Sequence, residues 1–101
     1  MIKAMVLYGH PTDPDAFEKY YAETHLPIAA KMQGVIKMEL TKFVSGPDGA
    51  KPAYYRMAEF YFPGLAEIQQ TMSSPEGKAA TADLSNFASG GVTIIVGIVE
   101  N

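Results

Sequence analysis

The chain contains no cysteine and no tryptophan. Without thiols there can be no disulfide, thiolate zinc site, iron–sulfur cluster or cysteine nucleophile, so any chemistry must rest on oxygen and imidazole. Charge is sparse: eight Lys+Arg stand against eleven Asp+Glu, a net charge of -3, and the lysines are scattered. That leaves no basic patch to neutralise phosphates, which excludes nucleic acid as a partner. Long apolar runs are missing too. The longest, Gly90 to Val99, is about half of the ~20 residues that a bilayer-crossing helix requires. Met1-Ile2-Lys3 leads into an apolar run that already stops at Gly9-His10-Pro11, too short for a secretory leader, and a cytoplasmic location is expected. What is present is 48% hydrophobic residues in a length of 101. That suffices for one domain over residues 1–101, with a core small enough that association between copies is expected.

Hydrophobic periodicity orders the chain. Ile2 to Tyr8 reads as a strand ended by Gly9, His10 and Pro11. Asp13-Pro14-Asp15 carries the marks of a helix start: a side-chain acceptor, a proline pre-set for the first turn and a favourable acidic charge. In the helix that follows, Phe17, Tyr21, Thr24, Ile28 and Met32 recur at steps of three or four, and Gly34 closes it. Val35 to Val44 alternates as a second strand and runs into the turn-rich Ser45-Gly46-Pro47-Asp48-Gly49. Tyr54 to Phe62 is a third strand. A helix with Leu65, Ile68 and Met72 on one side follows and is broken at Ser73-Ser74-Pro75. A further helix carries Ala80, Leu84 and Phe87, and Gly90-Gly91 precedes a last strand, Val92 to Val99.

The resulting order, βαββα(α)β, is an α+β arrangement. Right-handed crossovers fold it into a ferredoxin-like βαββαβ unit with a four-stranded antiparallel sheet whose first and third strands are central. The last strand is apolar on both faces, through Val92, Ile94, Val96 and Ile98 with Ile95 and Val99, yet two or three helices cover only one face of such a sheet. The open sheet face is therefore expected to close against a second copy. Burying several hundred Å² of it at about 25 cal/mol per Å² is worth roughly 10 kcal/mol before association costs.

Chemistry is concentrated in Phe17-x-x-Tyr20-Tyr21-x-x-Thr24-His25-Leu26-Pro27. Pro27 removes a helical donor, leaves the Glu23 carbonyl unpaired and bends the helix near His25. On the wheel His25 and Tyr21 occupy one edge of the buried stripe. An imidazole there can serve as a general acid or base near neutral pH, with a tyrosine hydroxyl one turn back. The alternative is that His25 satisfies the interrupted turn and nothing more. His10 reads as an exposed turn residue, and no spacing suits a metal site, so no metal is expected. Serines 73, 74, 85 and 89 do not assemble into a triad. Glu59, on a central strand, is expected to form an ion pair at the rim.

The Tyr21-x-x-Thr24-His25-x-Pro27 motif, with the opening strand, Glu59-Phe60, Ser74-Pro75-Glu76-Gly77, Asp83 and Phe87, resembles the EthD family of the dimeric α/β barrel superfamily. The resemblance implies a homodimer and a cleft between sheet and helices for a small hydrophobic or aromatic molecule. It implies His25 as the proton-transfer residue, with Tyr21 and Phe60 lining the cleft. The function so implied is that of a small enzyme or accessory protein of aromatic, lactone or ether catabolism, isomerase-, cyclase- or monooxygenase-like. The alternative is a noncatalytic ligand-binding or pathway-support homodimer in which His25 is structural. No cofactor is expected; haem, bound by some relatives, would have to rely on His25 alone.

Overall fold

The computed structural model describes residues 1–100. Strand β1 (Ile2–Tyr8) leads into a helix of three consecutive segments: α1 (Pro14–Tyr20), a π-helical turn (Tyr21–His25) and α2 (Leu26–Ala29). Strands β2 (Lys37–Lys42) and β3 (Arg56–Phe62) follow, then α3 (Leu65–Ser73), α4 (Pro75–Asp83), a 3₁₀ turn (Leu84–Asn86) and β4 (Val92–Ile98). The sheet is antiparallel throughout, in the order β2-β3-β1-β4. This is the ferredoxin-like α+β fold, with the first and third strands central as the crossover rule requires.

Register decides which side chains meet the helices. Ala4 pairs with Phe60 and Val96, and Val6 with Ala58 and Ile94, which places these residues with Ile2, Tyr8 and Phe62 on the helix-covered face. Ala4, Ala58, Phe60, Phe62 and Ile68 form one buried cluster, and Tyr8, Phe17, Tyr21, Leu84 and Phe87 a second. Each fully buried aromatic in them is worth about 1.5–3 kcal/mol of hydrophobic stabilisation. Both helix starts behave as the sequence suggests: Asp13 accepts from the Ala16 N–H, and Ser74 from that of Gly77.

Strands β2 and β3 are shorter than the alternation predicts, because Val35, Ile36, Phe43, Val44, Tyr54 and Tyr55 lie outside the ladder. The Ile36 N–H still donates to the Tyr61 carbonyl and that of Phe43 to the Tyr55 carbonyl, while the Tyr55 N–H donates to the carbonyl of Tyr8. The first helix also differs. Its buried residues are Phe17, Tyr21, His25 and Ala29, while Thr24 is exposed and Ile28 half-buried. Steps of four drift by about 40° each on an α-helix, and the wider π turn takes up that drift. The Leu26 N–H bonds the Tyr21 carbonyl five residues back, so the donor that Pro27 lacks is accommodated by a change of helix type.

The opposite face carries no helix. Part of it is polar: Lys3 Nζ of β1 lies 2.6 Å from Glu59 Oε2 of β3, so the ion pair expected of Glu59 forms, but on the two central strands and not at the rim, and the Tyr61 hydroxyl donates to Glu39 at 2.6 Å. The rest is apolar, with Met5 and Leu7 of β1, Met57 of β3 and Ile95 of β4 as neighbours in the register. Strand β4 is uncovered on both faces, with Val92, Ile94, Ile95, Val96 and Ile98 between 38% and 78% exposed in a single subunit.

Candidate functional site

Between helices and sheet lies a cavity of about 50 Å³, walled by Val6, Tyr8 and Phe60 of the sheet, by Ala29 and Met32, and by Met72, Ala80 and Leu84, with Ile94 at one side. Its surface is almost wholly hydrocarbon. The ionisable group on the wall other than tyrosine is His25, only 4% exposed.

The imidazole is held on several sides. Nδ1 lies 2.9 Å from Asp83 Oδ2. Tyr21 stacks on the ring at 5.9 Å and 16°, and Phe87 packs against it at 4.6 Å. Asp83 is held in turn by the Tyr20 hydroxyl at 2.6 Å and Asn86 Nδ2 at 2.9 Å, both donating to Oδ1. Burial works against the Asp83 charge, but the bonds from Tyr20, Asn86 and His25 outweigh it and keep the carboxyl below its ordinary range. An ionised carboxylate only accepts, so the proton between the two residues sits on Nδ1 when the ring is neutral. The ring edge carrying Nε2 is then the basic one.

Tyr21 stands behind His25 rather than on the cavity wall. Its ring lies under the Arg56 guanidinium at 5.0 Å, and Arg56 is fixed by two bonds to Glu18, at 2.7 and 3.0 Å. The Tyr21 hydroxyl, near that of Tyr8, is buried with no hydrogen-bond partner, and burial pushes it up to about 12 against an opposing pull from Arg56. Phe60 lies on the cavity wall. His10 is not an exposed turn residue: it is half-buried, its Nε2 2.7 Å from the Pro52 carbonyl, and it pins the long hairpin to the end of β1.

The periodicity missed Asp83, Asn86 and the bonding role of Tyr20. A signal existed, for Asp83 interrupts the apolar spacing of Ala80, Leu84 and Phe87, and a carboxylate there needs partners. No cluster of three metal-ligating side chains occurs among the described residues. Nor do the residues fit a haem: about 50 Å³ is far below the roughly 300–1,000 Å³ of cofactor and drug-sized sites. Among the described residues no helix is long and apolar enough to cross a membrane.

Fold and site together define a ferredoxin-like α+β protein with a buried His–Asp pair against an apolar cavity. Residues 9–91 match the EthD domain model, and the chain belongs to the EthD family. An uncharacterized 11.0 kDa protein from the thcB–thcC intergenic region of Rhodococcus erythropolis is 41% identical over 95 residues, covering 94% of this chain and 91% of that protein. The crystal structure of an EthD family protein from Bacillus halodurans superposes with a TM-score of 0.93 at 35% identity over 99% of both chains. A dimeric protein of unknown function with a ferredoxin-like fold from Bacteroides fragilis shares the fold, with a TM-score of 0.68 at 16% identity over 97% and 95% of the two chains.

Proposed function

We propose that the protein is a cofactor-independent proton-transfer catalyst or accessory protein of small-molecule catabolism, acting as a homodimer on a small apolar compound held between sheet and helices. The observation that carries this reading is the buried His25–Asp83 pair at the edge of a hydrocarbon cavity. A helix-bend histidine needs no carboxylate, whereas a general base gains from one that fixes its tautomer and balances the imidazolium formed when it takes a proton. Tyr21 contributes as a positioning residue, holding the imidazole plane from behind, and Phe60 supplies apolar wall. Aromatic, lactone and ether catabolism, implied by the family, all present such compounds.

The open sheet face supports the dimer. Met5, Leu7, Met57 and Ile95 form a patch flanked by internally paired charges, which a second copy covers without burying an unpaired ion. The dimeric Bacteroides fragilis neighbour is consistent with this arrangement.

The chemistry can be tested without knowing the substrate. In deuterated water, simple ketones and lactones are incubated with the protein and exchange at the carbon beside the carbonyl is followed by NMR. Acceleration by the native protein and its loss in His25→Gln, with the dimer intact, is the expected result. Absence of exchange across the panel would leave ligand binding with a structural His25 as the function.

A further inference from the structure

Besides His25, the cavity wall carries Tyr8 and Thr81, and the Thr81 hydroxyl is committed to the Gly77 carbonyl, which leaves Tyr8. It closes β1, is 1% exposed, and reaches the cavity from the sheet side while His25 reaches it from the helix side. The two rings share neighbours: Tyr21 lies 5.6 Å from Tyr8 and 5.9 Å from His25, and Phe87 lies 5.7 and 4.6 Å from the same two. They therefore face one small space.

The hydrogens in that space are unevenly matched. His25 Nδ1–H is committed to Asp83, so the imidazole offers the cavity an acceptor. Tyr8 and Tyr21 bring two phenols close together, but the Tyr21 hydroxyl is buried without a partner behind the imidazole, and of the two only Tyr8 stands on the cavity wall. Burial raises both phenols further above neutrality, so Tyr8 keeps its hydrogen. It is therefore the phenol from which a ligand oxygen in the cavity can accept.

We infer that Tyr8 donates a hydrogen bond to the carbonyl oxygen of a neutral ligand whose adjacent acidic hydrogen faces His25, which makes the substrate class small, uncharged ketones, esters or lactones with such a hydrogen. The inference rests on the reading of the cavity as the ligand site and deepens it. Among the described residues no cation lines the cavity to hold a carboxylate or phosphate, and a hydrocarbon would offer Tyr8 no acceptor.

The experiment compares two small probes of matching shape, acetone and 2-methylpropene, binding to native protein and to Tyr8→Phe, which keeps the ring and its packing. Binding is read from NMR shifts of cavity residues and, for the ketone, from its infrared carbonyl stretch. The expected result is a loss of ketone affinity of about two- to twelvefold in Tyr8→Phe, the ratio that about 0.5–1.5 kcal/mol for a neutral hydrogen bond predicts. The affinity for 2-methylpropene is unchanged, and the carbonyl stretch, lowered in the native complex, returns toward its free value. Equal losses for both probes, or no loss for either, would overturn the role of Tyr8 while leaving the cavity as the site. Failure of both probes to perturb native cavity residues would overturn the cavity reading itself.

Discussion

His25 and Asp83 are joined across 58 residues of sequence, Nδ1 to Oδ2 at 2.9 Å, with both side chains almost out of solvent. The bond ties the π turn of the first helix to the end of α4. Asp83→Asn removes the charge but preserves an acceptor for Tyr20 and Asn86. It is expected to destabilise the fold by about 1–3 kcal/mol, as for a buried bond left badly matched, and to move the imidazole proton from Nδ1 to Nε2. Urea unfolding measures the first effect and ¹⁵N shifts of His25 the second; an unmoved tautomer would show that Asp83 does not set it.

Acid should weaken the protein through the same carboxylate. Asp83 is held below its ordinary range, as is Glu18 through its bonds from Arg56 and Tyr55 against an opposing effect of burial. The unfolded chain then binds protons more readily than the folded one at low pH. The stability these groups contribute is full above the unfolded carboxylate value of about 4 and falls as pH drops through the lower folded values. Urea midpoints taken downward from about pH 5 are expected to decline in the native protein and to decline less steeply in Asp83→Asn.

The corner between α3 and α4 has no spare room. A Cβ on Gly77 would stand 2.1 Å from the Thr71 carbonyl oxygen and 2.9 Å from Met72 Cα, both backbone atoms. Gly77→Ala is expected to cost about 1–3 kcal/mol or more by forcing the helices apart. Because α4 carries Asp83, the ¹⁵N shifts of His25 should change with it, whereas exposed Ala79→Ser should leave them alone.

At about 50 Å³ the cavity is smaller than the roughly 150 Å³ that admits benzene. Met72, half-buried and flexible, is the wall most easily moved. Met72→Ala is expected to lower stability by about 1–2 kcal/mol, the low end for a methionine that solvent still reaches, and to strengthen benzene binding. A larger rise in melting temperature with benzene in the variant than in the native protein would bear this out.

Charge on the apolar part of the open sheet face should separate the copies. Ile95→Glu would set an unpaired carboxylate against Met5 and Met57 in the contact. Sedimentation is expected to give dimers for the native chain and single subunits for the variant; a single-subunit native chain would refute the proposed assembly.

Much of the fold could be read from the sequence because period and punctuation agree. Asp13-Pro14, Ser74-Pro75 and Gly90-Gly91 bracket helices and a strand, and right-handed crossovers applied to that element order put the first and third strands at the centre of the sheet. The site was legible in part. Pro27 announced a disturbance near His25, but its form, a π turn, depends on what the helix packs against. The displaced stripe, with His25 replacing Thr24, follows from that choice. Tyr21 and Tyr8 are both aromatic at core positions, and only the tertiary arrangement separates the ring behind the imidazole from the one on the cavity wall. Asp83 needed the distance between α4 and the first helix, which no local pattern encodes.

The widened turn at Tyr21–His25 has a corollary for chain length. It holds one residue more than an α turn would, so deleting one there would leave Leu26 four residues from Tyr21, the ordinary α spacing, and would remove the slack that sets Tyr21 and His25 on one face. The placing of the imidazole is thus written in backbone hydrogen bonding as well as in side-chain packing.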